Sequence, residues 1–182
     1  VTILELWSNR IGDVGAKVLA TCLQTNCTLT SLELDDNHIG AEGAKALATC
    51  LEINHTLSSL HLSTNHIGDE GAKALATCLQ TNGTLTSLGL SGNRIGDEGA
   101  NSIISSLAQK ERTRRSKRGD LGAIAVGEKC FVEEILYGSE WGNLVREYLI
   151  EVSVVELNLS GNNITLADST SRDALCELLP PR

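Results

Sequence analysis

The chain has 182 residues, enough for one domain, with a formal net charge of −8 and only 3% aromatic residues. The acidic balance argues against nucleic acid as the main ligand, and no apolar stretch reaches the ~18 residues of a membrane span. Few large side chains disfavour a single globular core, whereas the units of a repeat protein pack only on their neighbours and need only small aliphatic residues. Because the chain begins within a repeat and has no methionine, we expect it to be a piece of a longer protein.

A 28-residue unit recurs from the first residue onward and reads LTSLxLxxNxIGDEGAKALATCLQTNxT. Self-similarity at a fixed period is the mark of a repeat architecture. The recurring residues are Leu4, Leu32, Leu60 and Leu88; Leu6, Leu34, Leu62 and Leu90; Asn9, Asn37, Asn65 and Asn93; and Ile11, Ile39, Ile67 and Ile95. Residues 1–108 therefore hold four regular units, which start at positions 1, 29, 57 and 85.

Each unit predicts one strand, one turn and one helix. The alternating LxL segment is typical of a short strand with its leucines inward. The asparagine that follows, and its later equivalent Asn162, are predicted to satisfy backbone groups at the turn. We expect Asp13, Asp69 and Asp97 to act as helix N-caps before amphipathic helices such as 15–23. Strands stack at about 4.8 Å and helices at roughly 8–10 Å, so the parallel sheet should line the concave face of an arc.

The rest of the chain is less regular. Residues 110–120, with six Lys or Arg, are predicted to be a basic loop: a solvated segment, a nuclear-import signal or a contact for an acidic partner. Residues 121–153 fit a degenerate fifth repeat, with Leu121, Ile124 and Phe131 at consensus positions, or alternatively an inserted subdomain between 109 and 153. A final repeat is predicted at 154–182. The expected architecture thus has about six units, the last two starting at 121 and 154.

The unit resembles the leucine-rich repeat, LxxLxLxxNxL, in its ribonuclease-inhibitor-like subtype. This resemblance implies an α/β solenoid, a curved horseshoe with a parallel sheet on the concave face and helices on the convex face. It also implies a protein-interaction module and not an enzyme, acting as an inhibitor, a regulator or an effector like those of intracellular bacteria. The alternative within the same resemblance is a GTPase-activating protein of the Ran type, which needs an exposed loop arginine; Arg10 and Arg94 occupy such loops.

Neither the cysteines nor the histidines indicate a metal site, a cofactor or a catalytic assembly. Cys22, Cys50 and Cys78 recur on successive helices, too far apart for relaxed disulfides, and are expected to be buried reduced thiols. Free thiols favour a reducing compartment, so a cytoplasmic location is expected, in a host cytosol if the protein is a delivered effector. The five N-x-S/T sequons are expected to be unglycosylated; they begin at Asn26, Asn54, Asn82, Asn158 and Asn163.

Positions 3, 5, 7 and 8 of each unit should face the hollow of the arc. The first two units place an acidic group and a tryptophan there, while the fourth is nearly featureless. The predicted protein-binding residues are Glu5, Trp7, Glu33, Asp35, Asp36 and His61. Their chemistry predicts a protein partner with a basic surface, and no nucleic acid, membrane or small-molecule substrate. The alternative for Trp7 is that preceding repeats cover it.

Overall fold

The computed structural model describes residues 2–118, 156–158 and 160–164. Strands and helices alternate along these ranges, as one strand–turn–helix unit per repeat predicts. In chain order the elements are β1 (Ile3–Glu5), α1 (Gly12–Leu23), β2 (Ser31–Glu33), α2 (Ala41–Leu51), β3 (Ser59–His61), α3 (Gly68–Thr81), β4 (Ser87–Gly89), α4 (Asp97–Arg118) and β5 (Glu156–Asn158).

The strands form one parallel sheet in the order β1-β2-β3-β4-β5. The first four strands pair with a shift of one 28-residue unit at each step, so that Leu4 lies beside Leu32 and Leu32 beside Leu60. Helices α1 to α4 pack side by side in the same order. This arrangement confirms the α/β leucine-rich-repeat solenoid predicted from the sequence.

The core lies between the sheet and the helices. The two leucines of each LxL segment, the isoleucine after the turn and the inward-facing alanines of the helices, such as Ala44, Ala48, Ala72 and Ala76, are buried from the second unit onward. Small residues let neighbouring helices approach closely: a Cβ added to Gly43 would lie 2.7 Å from Ile39 and 3.0 Å from the Cβ of Ala16 on α1. The glycine at this position of the unit therefore sets the spacing between helices.

The final unit follows the fourth directly in the sheet. β5 is hydrogen-bonded to β4, with Leu88 beside Leu157, which is the register expected for a unit starting at residue 154. Five of the six predicted units contribute a strand to the described part of the chain. The degenerate repeat at 121–153 and its alternative, an inserted subdomain, concern residues outside the described ranges.

The prediction of a basic loop at 110–120 is wrong for most of that segment, because helix α4 continues through it to Arg118. Between Gly99 and Gly119 the sequence has no glycine or proline, and Gln, Lys, Arg and Glu are good helix formers. The helix also places its cations at its C-terminal end, where the helix dipole favours positive charge. One of them, Lys110, donates a hydrogen bond to the backbone oxygen of Asn82 (2.5 Å), and burial lowers its pKa.

Two of the three aspartates predicted to cap their own helices, Asp13 and Asp69, instead cap the helix of the next unit. Asp97 is the first residue of α4. The Asp13 carboxylate accepts hydrogen bonds from the backbone N–H groups of Gly40 (2.7 Å) and Gly43 (2.8 Å), where α2 begins. Asp69 accepts from two glycine N–H groups at the start of α4 in the same way. Because α1 begins at Gly12, Asp13 already lies in the first turn of that helix, and its side chain faces the neighbouring unit.

The cysteines are free thiols, as expected, but their burial differs along the stack. Burial raises the pKa of Cys50 to about 11 and that of Cys78 to about 12. Cys22 was expected to be buried and is exposed, because no helix of the described chain packs on the outer side of α1. Cys27 is also exposed, and Cys130 and Cys176 lie outside the described ranges. In the described part of the chain, no helix is long and apolar enough to cross a membrane.

Candidate functional site on the open face of the sheet

A ladder of turn asparagines fixes the backbone that carries the open face. The Asn65 side-chain amide donates to the backbone oxygens of Leu34 (3.0 Å) and Leu62 (2.9 Å). Its side-chain oxygen accepts from the backbone N–H groups of Asn37 (3.0 Å) and Ile39 (2.9 Å). Each such asparagine therefore joins the end of its own strand to the turn of the preceding unit, and Asn37, Asn93 and Asn162 make the same kind of connection. Asn9 is exposed, and its side-chain amide bonds only within its own turn.

The residue before each turn asparagine has a left-handed backbone in every described unit. The φ angles of these residues lie between 53° and 67°, at Ser8, Asp36, Thr64, Gly92 and Gly161. A non-glycine residue adopts this conformation at a cost, so the surrounding turn must hold it in place. Sequence reasoning did not identify this feature, although glycine at the equivalent position of two units was a signal for it. The side chains at this position consequently share one orientation from unit to unit.

Five of the predicted binding residues lie together at one end of the open face. We call Glu5, Trp7, Glu33, Asp35 and Asp36 the acidic end. The side chain of Trp7 is 58% exposed in this chain. Glu5 and Glu33 are direct neighbours across β1 and β2.

Two of the carboxylates at the acidic end also hold the sheet together. Asp36 accepts a hydrogen bond from the Ser8 hydroxyl (2.8 Å), and Asp35 accepts one from the backbone N–H of Ser63 (2.5 Å). These two aspartates therefore have structural partners in the neighbouring units. The carboxylates of Glu5 and Glu33 have no described hydrogen bond and are available to a ligand.

Cations within the described ranges do not neutralise the acidic end. The ion pairs that the structure describes join helix residues, at Lys17–Glu42, Lys45–Glu42, Lys73–Glu70 and Lys73–Glu98. Hydrogen bonding to Glu98 and Glu70 raises the pKa of Lys73, so this lysine stays charged on the helical side of the molecule. Neighbouring parallel strands are about 4.8 Å apart, and like charges directly opposite each other are destabilising. The two stacked glutamates therefore repel each other across the sheet.

His61, the sixth predicted residue, lies beside Glu33 in the sheet register but has its own partner. Its ring Nε2 is 2.9 Å from the Ser59 hydroxyl, and the side chain is half-buried. Further along, the Ser91 and Ser160 hydroxyls lie 2.7 Å apart. The open face thus changes from charged and unpaired at one end to neutral and internally hydrogen-bonded at the other.

Two arginines and two histidines form a column beside the open face. Arg10, His38, His66 and Arg94 occupy the same position in four successive turns, and all are exposed. The rings of His38 and His66 have their centroids 5.7 Å apart. Their shared repeat position is visible in the sequence, where Arg10 and Arg94 stand at the same place in the unit as His38 and His66.

A second set of asparagines lies at the opposite end of the strands and bears on the sequons. Asn54 and Asn82 are buried, and their side-chain amides donate to the backbone oxygens of Leu23 (2.8 Å) and Leu51 (2.6 Å). A glycan cannot be attached to either amide while the unit is folded. Asn26 of the first unit is exposed. Among the described residues, no group of three or more His, Cys, Asp or Glu could hold a metal ion.

Comparison with known proteins agrees with this architecture. The family model described as Leucine Rich repeat matches residues 1–20, 25–48, 54–76, 81–103 and 152–167. The fold is similar to that of the solved structure titled leiomodin-1 actin-binding site 2, with 17% identity, a TM-score of 0.59, and coverage of 98% of this chain and 78% of that one. It is also similar to the tropomodulin C-terminal domain of Caenorhabditis elegans, with 15% identity, a TM-score of 0.52, and coverage of 92% and 90%. No curated protein sequence matches the chain. Because the family model covers more than half of its residues, the chain belongs to the leucine-rich-repeat family.

Proposed function

We propose that this chain is a protein-interaction module whose acidic end binds a basic surface of a partner protein. One observation carries the proposal: Glu5 and Glu33 are stacked without a described cation, next to a tryptophan that is 58% exposed. The leiomodin-1 structure with a similar fold is titled as an actin-binding site, which supports a protein partner in general terms. The 28-residue unit also leads us to propose the ribonuclease-inhibitor-like subtype.

Electrostatics and burial would act together in this complex. A Lys or Arg of the partner placed against Glu5 and Glu33 would replace repulsion between the glutamates with attraction. Trp7 would supply the apolar contact, since exposed tryptophan is enriched among the residues that dominate binding energies. Complementary charge also accelerates and orients the encounter of the two proteins. The acidic end thus combines charged carboxylates with one large aromatic side chain that can make apolar contacts.

The scaffold reduces the entropic cost of binding. The strand ends that carry the acidic end are fixed by the turn asparagines, as described for Asn37 and Asn65. A surface already held in its binding conformation loses little freedom when a partner docks. We therefore propose that the module acts by occupying its partner, as an inhibitor, a regulator or an effector. The buried free thiols of Cys50 and Cys78 support the proposal of a cytoplasmic, reducing location.

The proposal is tested by capture from a cytosolic lysate with three immobilised proteins. The first is the chain itself, and the second carries Trp7→Ala, Glu5→Lys and Glu33→Lys. These positions are chosen because their side chains make no described hydrogen bond, unlike Asp35 and Asp36. The third is a matched control, Glu52→Lys with Glu98→Lys, which changes the net charge equally at exposed sites on the helical side.

We expect a protein that the chain and the control both capture and the acidic-end variant loses. Its affinity for the acidic-end variant should fall by about a hundredfold or more, because a single anchoring residue contributes 2 kcal/mol or more. Capture should also weaken between 0.05 and 0.5 M NaCl, since salt screens exposed charges. Identical captured sets for all three proteins would show that the acidic end is not the binding site.

A further inference from the structure

In the column of residues beside the open face, hydrogen bonds fix the backbone on either side of the column residue. In the first unit, the N–H groups of Asn9 and Ile11 both bond to the side-chain oxygen of Asn37, at 3.0 and 3.2 Å. Arg10 lies between these two anchors. The same pair of bonds flanks His38, through Asn65, and Arg94, through Asn162. Each side chain of the column therefore projects from a turn whose neighbouring residues are fixed.

The backbone conformation of the column is also shared. Arg10, His38 and Arg94 have φ angles of 53°, 56° and 59°, in the left-handed region that non-glycine residues seldom adopt. All four side chains are exposed. The equivalent residue of the final unit is Asn163, so the column ends at Arg94. We call Arg10, His38, His66 and Arg94 the cationic column.

The cationic column has no described ionic partner within the molecule. The described ion pairs use Lys17, Lys45 and Lys73 on the helices and none of the column residues. The only described side-chain contact of the column is the one between the two imidazole rings, at 5.7 Å. Two permanent charges therefore flank two imidazoles along a line that crosses four units.

We propose that the cationic column binds an extended acidic segment of a polypeptide, at a site separate from the acidic end. The segment would lie along the stack of turns. Alternate side chains of an extended chain point the same way and are about 6.6 Å apart, close to the 5.7 Å between the imidazole rings. Carboxylates at every second position could thus meet successive members of the column. A partner that carried a basic patch beside an acidic strand would engage both sites.

Nucleic acid is the less favourable polyanion for this site. The column has only two permanent charges, and the chain carries a net charge of −8. A long phosphate backbone would extend past the column and meet the carboxylates of the acidic end. A short acidic peptide places its charge only where the column lies, so its repulsion by the rest of the chain is smaller.

The carboxylates nearest to the cationic column already have partners. The carboxylate on the same turn is Asp36, which is bonded to Ser8. Those on the packed helices α1 and α3 include Asp13 and Asp69, which are bonded to backbone N–H groups. An incoming acidic segment is therefore the available counter-charge for the column.

The test measures the fluorescence anisotropy of a labelled octapeptide with alternating Glu and Thr, at low salt. The key variant is Arg10→Asn with Arg94→Asn, because asparagine tolerates the left-handed backbone. The matched control is Lys17→Gln with Lys45→Gln, which removes the same charge from exposed sites on the helices. A third variant, His38→Asn with His66→Asn, tests whether the two imidazoles contribute to binding. Urea unfolding of each variant checks that the fold is retained.

We expect the arginine variant to bind the peptide about tenfold more weakly and the lysine control less than twofold more weakly. The histidine variant should bind the peptide more weakly than the chain, by a smaller factor than the arginine variant, because the two imidazoles lie between the arginines. The Glu5→Lys and Glu33→Lys changes should not weaken peptide binding, which separates this proposal from the proposed function. The inference is overturned by no binding of the peptide to the chain, by equal losses in the arginine variant and the lysine control, or by tighter binding of a single-stranded oligonucleotide of equal length.

Discussion

The open faces of the first two units and of the next two share one backbone but differ in chemistry. Both pairs have the same strand register, the same turn asparagine and the same left-handed residue before it. The first pair displays Glu5, Trp7 and Glu33, whereas the second pair places His61 and Gly89 in the register of the glutamates. The repeat therefore fixes where each side chain of the open face points, whereas the residue types at a few variable positions determine what that face can bind.

The two halves also differ in how their polar groups are satisfied. In the neutral half, Ser59 bonds to His61, and Ser91 bonds to the Ser160 hydroxyl of the final unit. In the acidic half, the stacked pair Glu5 and Glu33 has no described partner. A surface whose polar groups already have partners gains less from binding than one with unpaired charges. This difference is the physical basis for placing the binding site at the acidic end.

The largest expected effect comes from removing the scaffold that both halves share. Asn65→Ala would leave several buried groups without partners, among them the N–H groups of Asn37 and Ile39 and the backbone oxygen of Leu34. At 1–3 kcal/mol for each unsatisfied buried group, we expect the free energy of unfolding to fall by about 3–5 kcal/mol. Urea denaturation followed by circular dichroism measures the change.

The control is the same substitution at the same position of the first unit. Asn9 is exposed and its amide bonds only to the backbone oxygens of Leu6 and Trp7. Asn9→Ala should therefore cost only about 1 kcal/mol. Equal losses for the two variants would mean that the contacts between units do not set the stability of the turn.

Much of this scaffold could be predicted from the sequence, because each element repeats. The 28-residue period located the strands, the turns and the helices, and alternation within the strand identified which side chains face outward, including Glu33 and Asp35. Periodicity also gave the start of the final unit, as the pairing of Leu88 with Leu157 shows. Because several copies of the pattern each indicate the same unit structure, an exception in one copy does not hide that structure.

Features that depend on contacts between units could not be predicted in the same way. Asp13 looked like the cap of its own helix, and only the structure shows that its carboxylate reaches Gly40 of the next unit. Helix α4 extends to Arg118 because residues of high helix propensity continue beyond the end of the regular repeat. The shared repeat position of the cationic column can be read from the sequence, whereas the left-handed turn that presents its side chains is visible only in the structure.

A second prediction concerns the backbone strain at the left-handed residue before each turn asparagine. Thr64 is β-branched with a φ of 57°, and its side chain has no described hydrogen bond. Thr64→Gly should raise the free energy of unfolding by about 1 kcal/mol, because relief of a strain of ~1–2 kcal/mol exceeds the entropic cost of glycine. Asp36→Gly relieves the same strain but loses the bond to Ser8, so its stability should change little. Thermal unfolding of both variants measures these changes in stability. A loss of stability in Thr64→Gly would show that the turn favours a side chain at this position.

The smallest expected effect concerns the repulsion at the acidic end itself. Glu33→Gln removes one of two stacked charges and should stabilise the fold by about 0.3–0.5 kcal/mol at low salt, an effect that disappears in 0.5 M NaCl. His61→Glu would extend the stack to a third glutamate and should destabilise the fold by a similar amount, since His61 lies beside Glu33. Glu52→Gln, at an exposed site on the helical side, is the control and should show no such dependence on salt.

Opposite, salt-sensitive shifts for the first two variants would show that the stacked glutamates of the acidic end repel each other in the free protein. Shifts that salt does not alter would mean that the glutamates do not repel each other measurably, and Trp7 would then have to supply most of the binding energy.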